Sequence, residues 1–113
     1  MNRLNPFQMT YPLMPEEAPM TTTMPNYVQR VTEDLAARLP DCDAELLDLY
    51  ALLALAYGTE TTLKQVHEAW AIWRNRSNPA HKSLVPFDEL TPEVQEYDRK
   101  YALAIHEAAK AVA

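Results

Sequence analysis

His67-Glu68-Ala69-Trp70, then His81-Lys82-Ser83-Leu84-Val85-Pro86-Phe87-Asp88-Glu89-Leu90, then Tyr97-Asp98-Arg99 is the stretch on which the fold turns. Histidine and tryptophan three apart sit on one face of a helix. The segment 81–90 is apolar, but Pro86 within it and Pro79 just before it deny it a helix, so it reads as an ordered loop. Leu84, Val85 and Phe87 are expected to tuck into the core. Thr91 as N-cap, Pro92 at the first helical position and Glu93 in the first turn then open another helix. Val94, Tyr97, Tyr101, Ile105, Ala108 and Val112 continue it at steps of three and four.

Upstream of this unit the same rules place three helices. Asn26, just after Pro25, is a good N-cap for a first helix carrying Val28, Val31, Leu35 and Leu39, which Pro40 stops. A second starts after Asp41 or Asp43 and runs to Tyr57, with Gly58 as a left-handed C-cap. Leu46, Leu47, Leu49, Tyr50, Leu52, Leu53 and Leu55 cover more than one of its faces, the pattern of a central, buried helix. A capping box, Thr62-x-x-Gln65, opens the third, whose stripe is Leu63, Val66, Trp70 and Trp73. The expected architecture is all-α: a compact four-helix domain over residues 26–113, with the Leu-Val-Pro-Phe loop between helices 3 and 4.

Residues 1–25 have a different character. They hold five of the nine prolines and all five methionines, which favours an extended arm. The plain reading is a flexible leader, with Met20 or Met24 as an alternative start. The sharper one takes Phe7, Tyr11 and Leu13, among its apolar residues, as contacts to a partner.

Composition narrows the function classes. At 113 residues the chain is one domain, and a single glycine disfavours a turn-rich β-fold. The net charge of −6 reads against a nucleic-acid partner. Cys42 has no second cysteine to pair with, which suits a reducing cytoplasm. It reads as a small, partly buried apolar residue beside a helix start. No apolar run is long enough to span a bilayer, and Arg3 is followed by prolines instead of the apolar run of a secretory signal.

Chemical motifs are scarce. His67-Glu68 is followed by Ala71 where the zincin pattern needs a second histidine, His106-Glu107 stands alone, and no metal or cofactor is implied. A phosphate loop needs glycines the chain does not have, and Ser77 and Ser83 lie in no nucleophile elbow. A helix-turn-helix reading of helices 2 and 3 fails at Lys64, where the motif requires an apolar residue, and helix 3 carries Glu68 and two tryptophans. One constellation remains. Arg74, Arg76, His81 and Lys82 are the single basic concentration, with no acid between Glu68 and Asp88. Beside Trp73 they would stack a flat ring and hold an anion. The competing reading is a helix C-terminus complemented by cations next to core tryptophans.

Two resemblances rest on these residues. His67-x-x-Trp70 with Arg74 a turn on, His81-x-x-Leu84-Val85-Pro86-Phe87, and Pro92-Glu93 with Tyr97-Asp98 resemble the ryanodine-receptor repeat over about residues 65–112. That implies a non-enzymatic helical module of a kind associated with adenine-nucleotide and regulatory-ligand binding. The chain departs from the repeat at Asn75–Ala80, a short turn in place of a glycine and longer insert. Over residues 26–113 the chain also resembles small actinobacteriophage proteins, especially from mycobacteriophages, through Asn26-Tyr27-Val28, Ala54 to Gly58, His67 to Trp70 and Leu84 to Leu90. Together these imply a cytoplasmic, non-enzymatic phage accessory factor engaging a host or phage protein. The alternatives are a sensor or sink for a nucleotide-like small molecule and a minor virion component using the arm.

Overall fold

A capping side chain starts each of the first four helices. The computed structural model describes residues 24–112. The arm contacts proposed at Phe7, Tyr11 and Leu13 lie outside the described residues. Helix α1 (Tyr27–Arg38) opens on a reciprocal capping box: the Asn26 side chain accepts from the Gln29 amide and Gln29 accepts from the Asn26 amide, both at 2.8 Å. Asp43 caps α2 (Ala44–Tyr57) by accepting from the Glu45 amide at 2.8 Å. Thr62 and Gln65 form the expected box at the start of α3 (Leu63–Ser77). Thr91 accepts from the Val94 amide to start α4 (Pro92–Glu96), and α5 spans Arg99–Val112. Each cap satisfies amides that the first turn leaves without partners. Among the described residues all regular structure is helical, and no helix is long and apolar enough to cross a membrane.

Gly58 ends α2 with φ +57° and ψ −130°. The positive φ is expected of a helix-ending glycine, but ψ lies outside the left-handed helical well. The chain turns there into a short 3₁₀ segment (Gly58–Glu60) that lies against α5. Thr61 is buried, and its hydroxyl lies within hydrogen-bond range of the Leu53 and Gly58 carbonyls. His106 on α5 donates to the Thr61 carbonyl at 2.7 Å, tying the end of α2 to the last helix.

Helices α1 and α3 pack on either side of α2, and α5 lies across α1 and α2. The core runs through Val31 and Leu35 of α1, Leu47 and Tyr50 of α2, Val66 of α3 and Ile105 of α5. On α5 the buried side chains beside Ile105 are alanines (Ala102, Ala104 and Ala108), which let its backbone lie close to its neighbours.

Some expectations need correction. The fourth helix is not continuous. At Tyr97–Asp98 the amides bond three residues back, to Val94 and Gln95, and the regular ladder resumes when Ala102 donates to the Asp98 carbonyl. Gln95 reaches back to the carbonyls of Phe87 and Leu90 and pins α4 to the loop, so α4 follows the loop and α5 follows the core. Tyr97 is consequently 69% exposed rather than part of the apolar stripe. Val28 is also exposed, and Leu84, Val85 and Phe87 are half-buried rather than in the core. Helix α2 is central but not covered all round: Leu52 is 60% exposed, and Leu55 and Tyr57 are exposed to a lesser degree.

Candidate functional site

His67 is the residue that holds the loop in place. It sits on the inner face of α3 at 3% exposure, and its Nε2–H donates to the Val85 carbonyl at 2.8 Å. Its ring stacks on Trp70 (centroids 5.6 Å apart, 28° between planes) and meets Phe87 at 6.0 Å. Trp70 in turn takes the edge of His81 at 5.1 Å and 81°. The aromatic chain from Phe87 through His67 and Trp70 to His81 therefore closes both ends of the loop onto α3. His81 also shapes its own turn, accepting from the Ser83 amide through Nδ1 at 3.0 Å. That bond uses Nδ1 as an acceptor and leaves Nε2 as the position for the ring's donor.

Between the loop, the second half of α3, the start of α2 and the α4–α5 break lies a cleft of about 580 Å³. That volume is within the range of small-molecule sites. Of the residues singled out from the sequence, Trp73, Arg74, His81 and Lys82 line it. Arg76 does not: it points the other way and pairs with Glu45 at 3.3 Å, both side chains largely exposed. Two residues along a helix is about 200° of rotation, so Arg74 and Arg76 occupy different faces.

Trp73 and Arg74 form the cationic wall. The Trp73 indole N–H donates to Asp43 Oδ2 at 3.2 Å, bracing α3 against the cap of α2. The Arg74 guanidinium carbon lies 4.4 Å from the Trp73 ring centroid, a cation–π contact. Its hydrogen bonding is incomplete: Nη1 reaches Ser77 Oγ at 3.4 Å, while the shielded Nε–H has no partner among the described residues.

The floor and the far wall come from segments that the basic cluster did not announce. Tyr50, almost fully buried, meets Tyr101 with centroids 5.6 Å apart. Burial pushes the Tyr50 phenol well above its ordinary pKa and raises the Cys42 thiol, with Asp43 adding to the latter. Cys42 is therefore held as the neutral thiol, not a reactive thiolate. Asp41, Asp43 and Asp98 add three carboxylates to the lining. Asp98 sits half-buried at the α4–α5 break. Desolvation raises its carboxyl from 3.8 to about 6, and His67 opposes the rise. No side-chain hydrogen bond or salt bridge holds it among the described residues. Among those same residues no group of three or more His, Cys, Asp and Glu is placed to hold a metal ion.

The signal for the missed wall was faint. Asp41 and Asp43 read as helix-start residues and Asp98 as a residue inside a helix. Only the fold brings 41–43 and 97–101 against 70–83.

A family described as Domain of unknown function (DUF7701) matches residues 26–110, most of the chain, from the cap of α1 into the last turn of α5. Neither the curated proteins nor the solved structures contain a match to the chain.

Proposed function

The chain belongs to the DUF7701 family, and we propose that it is a non-enzymatic binding module that takes a small ligand in the cleft between α2, α3, the 81–90 loop and the α4–α5 break. The observation that carries this reading is the cleft itself. Two segments of the basic cluster converge there with Trp70, Trp73, Tyr50 and Tyr101 around one concavity of ligand size. Aromatic walls with a few convergent polar groups are the usual composition of such sites. Each histidine spends one ring nitrogen on backbone, His67 with Val85, His81 with Ser83 and His106 with Thr61, which fits a role in holding the fold around the cleft.

The likenesses to the ryanodine-receptor repeat and to small actinobacteriophage proteins fit this reading and extend it, to an accessory factor at work in the cytoplasm of a host cell. A second reading, contact with a host or phage protein, has one observation in its favour: Leu52 and Leu55, one turn apart on α2, both face outward.

A thermal-melt screen of the full chain against mononucleotides, cyclic nucleotides and free amino acids tests the proposal. A ligand at one hundred times its Kd stabilises by about 2.7 kcal/mol. The expected result is a shift of several degrees for one class, lost in Arg74→Met. A flat screen overturns the small-ligand reading and leaves the α2 face to be tested with Leu52→Glu.

A further inference from the structure

The cleft carries charges of both signs and keeps them apart. Arg74 and Lys82 stand on α3 and the loop; Asp41 and Asp43 stand at the start of α2, and Asp98 at the α4–α5 break. The salt bridges among the described residues pair Arg38 with Asp34, Arg76 with Glu45, Arg99 with Glu96 and Lys110 with Glu107. None of them uses a residue that lines the cleft. Asp43 is engaged by the Glu45 amide and the Trp73 indole. Asp98 has no such partner among the described residues, and neither Arg74 nor Lys82 forms a salt bridge with it. A carboxylate and a guanidinium sharing one cavity without meeting leave both ends open to a third molecule.

The balance of charge selects among ligands. The lining sets three carboxylates, Asp41, Asp43 and Asp98, against the two permanent cations Arg74 and Lys82. A phosphate dianion would meet more carboxylates than cations there, whereas a zwitterion places each of its groups beside an opposite charge.

Resting on the small-ligand reading above, we propose that the cleft recognises a small zwitterion with a flat apolar body, its carboxylate on Arg74 and Lys82 and its ammonium on Asp98. An aromatic α-amino acid is the simplest molecule of that class. The ring lies among Trp70, Tyr97 and Tyr101, the ammonium meets the accessible side of the Asp98 carboxylate, and the carboxylate meets the donors of Arg74 that its bond to Ser77 leaves free. This reverses the preference for a nucleotide-like anion that the basic cluster alone suggests, because that cluster faces an acidic wall.

Four probes test it on the full chain by calorimetric titration at neutral pH: L-phenylalanine, 3-phenylpropanoate, 2-phenylethylamine and adenosine monophosphate. The expected order puts L-phenylalanine first, with loss of either charged group weakening binding by about tenfold or more, the scale of one charge-assisted hydrogen bond. Asp98→Asn is expected to lower L-phenylalanine affinity by about tenfold and to leave 3-phenylpropanoate unchanged or tighter. Arg74→Met does the converse, sparing 2-phenylethylamine. If 3-phenylpropanoate binds as tightly as L-phenylalanine, or adenosine monophosphate binds and L-phenylalanine does not, the zwitterion assignment is overturned while the cleft stands as a ligand site. If none of the four binds at millimolar concentration the assignment also falls, and the broader melt screen decides whether the cleft reading falls with it.

Discussion

Replacing Asp98 by asparagine should make the protein more stable at neutral pH and change it little in acid. The carboxyl is half-buried and has no hydrogen-bond partner among the described residues, and desolvation raises its pKa from 3.8 to about 6. A folded-state pKa above the unfolded value means the folded protein takes up a proton before the unfolded chain does. The ionised group therefore costs stability at any pH above about 6, and that cost fades as the pH falls through the window from 6 to 3.8. At about 1.4 kcal/mol per pH unit the difference sets an upper bound near 3 kcal/mol. The side chain is only partly buried, and screening reduces the figure to on the order of 1 kcal/mol. Asparagine has the same shape and no charge to desolvate. Urea unfolding at pH 7.5 and pH 4 checks this: the variant's midpoint should rise by roughly 0.3–1 M at pH 7.5, with most of the gain gone at pH 4. An equal gain at both values, or a variant less stable at pH 7.5, would refute the reasoning. A residue that costs stability in a lined cleft is what a binding role predicts, since surplus stability is commonly given up at functional sites.

Three further outcomes follow from the geometry. Gly58→Ala should cost ~1–3 kcal/mol in a thermal melt: a Cβ there meets nothing within 4 Å, so the whole cost is the strained φ of +57°. His67→Ala should cost roughly 2–4 kcal/mol by removing a buried ring and the bond to Val85. Hydrogen exchange should also become faster at the Leu84 and Leu90 amides, which close the turns of the loop that His67 anchors. Arg74→Met should leave the melting temperature unchanged or slightly higher, because the Nε–H it removes has no partner among the described residues, by up to ~1 kcal/mol. A clear loss of stability would instead make Arg74 a structural brace.

What could be read from the sequence was what local chemistry determines. The caps at Asn26, Asp43, Thr62 and Thr91 depend on one or two side chains and the next turn, so the helix starts were legible. So was Gly58, where only glycine is at ease with the backbone. The break at Tyr97–Asp98 has no proline or glycine to mark it; it arises because Gln95 is tied to the loop while Ile105 is tied to the core. The exposure of Leu52 was hidden for a related reason, since an all-apolar helix does not say which of its faces lacks a neighbour. Half of the site was legible, as Trp73, Arg74, His81 and Lys82 lie within ten residues. Helical rotation alone separates Arg74 from Arg76. The acidic wall was not, because Asp41, Asp43 and Asp98 join the basic cluster only through tertiary packing.

The most direct test of a ligand site in this cleft uses the chain's two tryptophans, both of which line it. Their indole N–H resonances are two isolated signals in a proton–nitrogen correlation spectrum, and L-phenylalanine can be titrated against them. The account predicts that both move saturably along one binding curve, and that Asp98→Asn shifts that curve to about tenfold higher concentration. Indole signals that stay fixed while amides around Leu52 and Leu55 move would contradict it and put the binding surface on the outer face of α2.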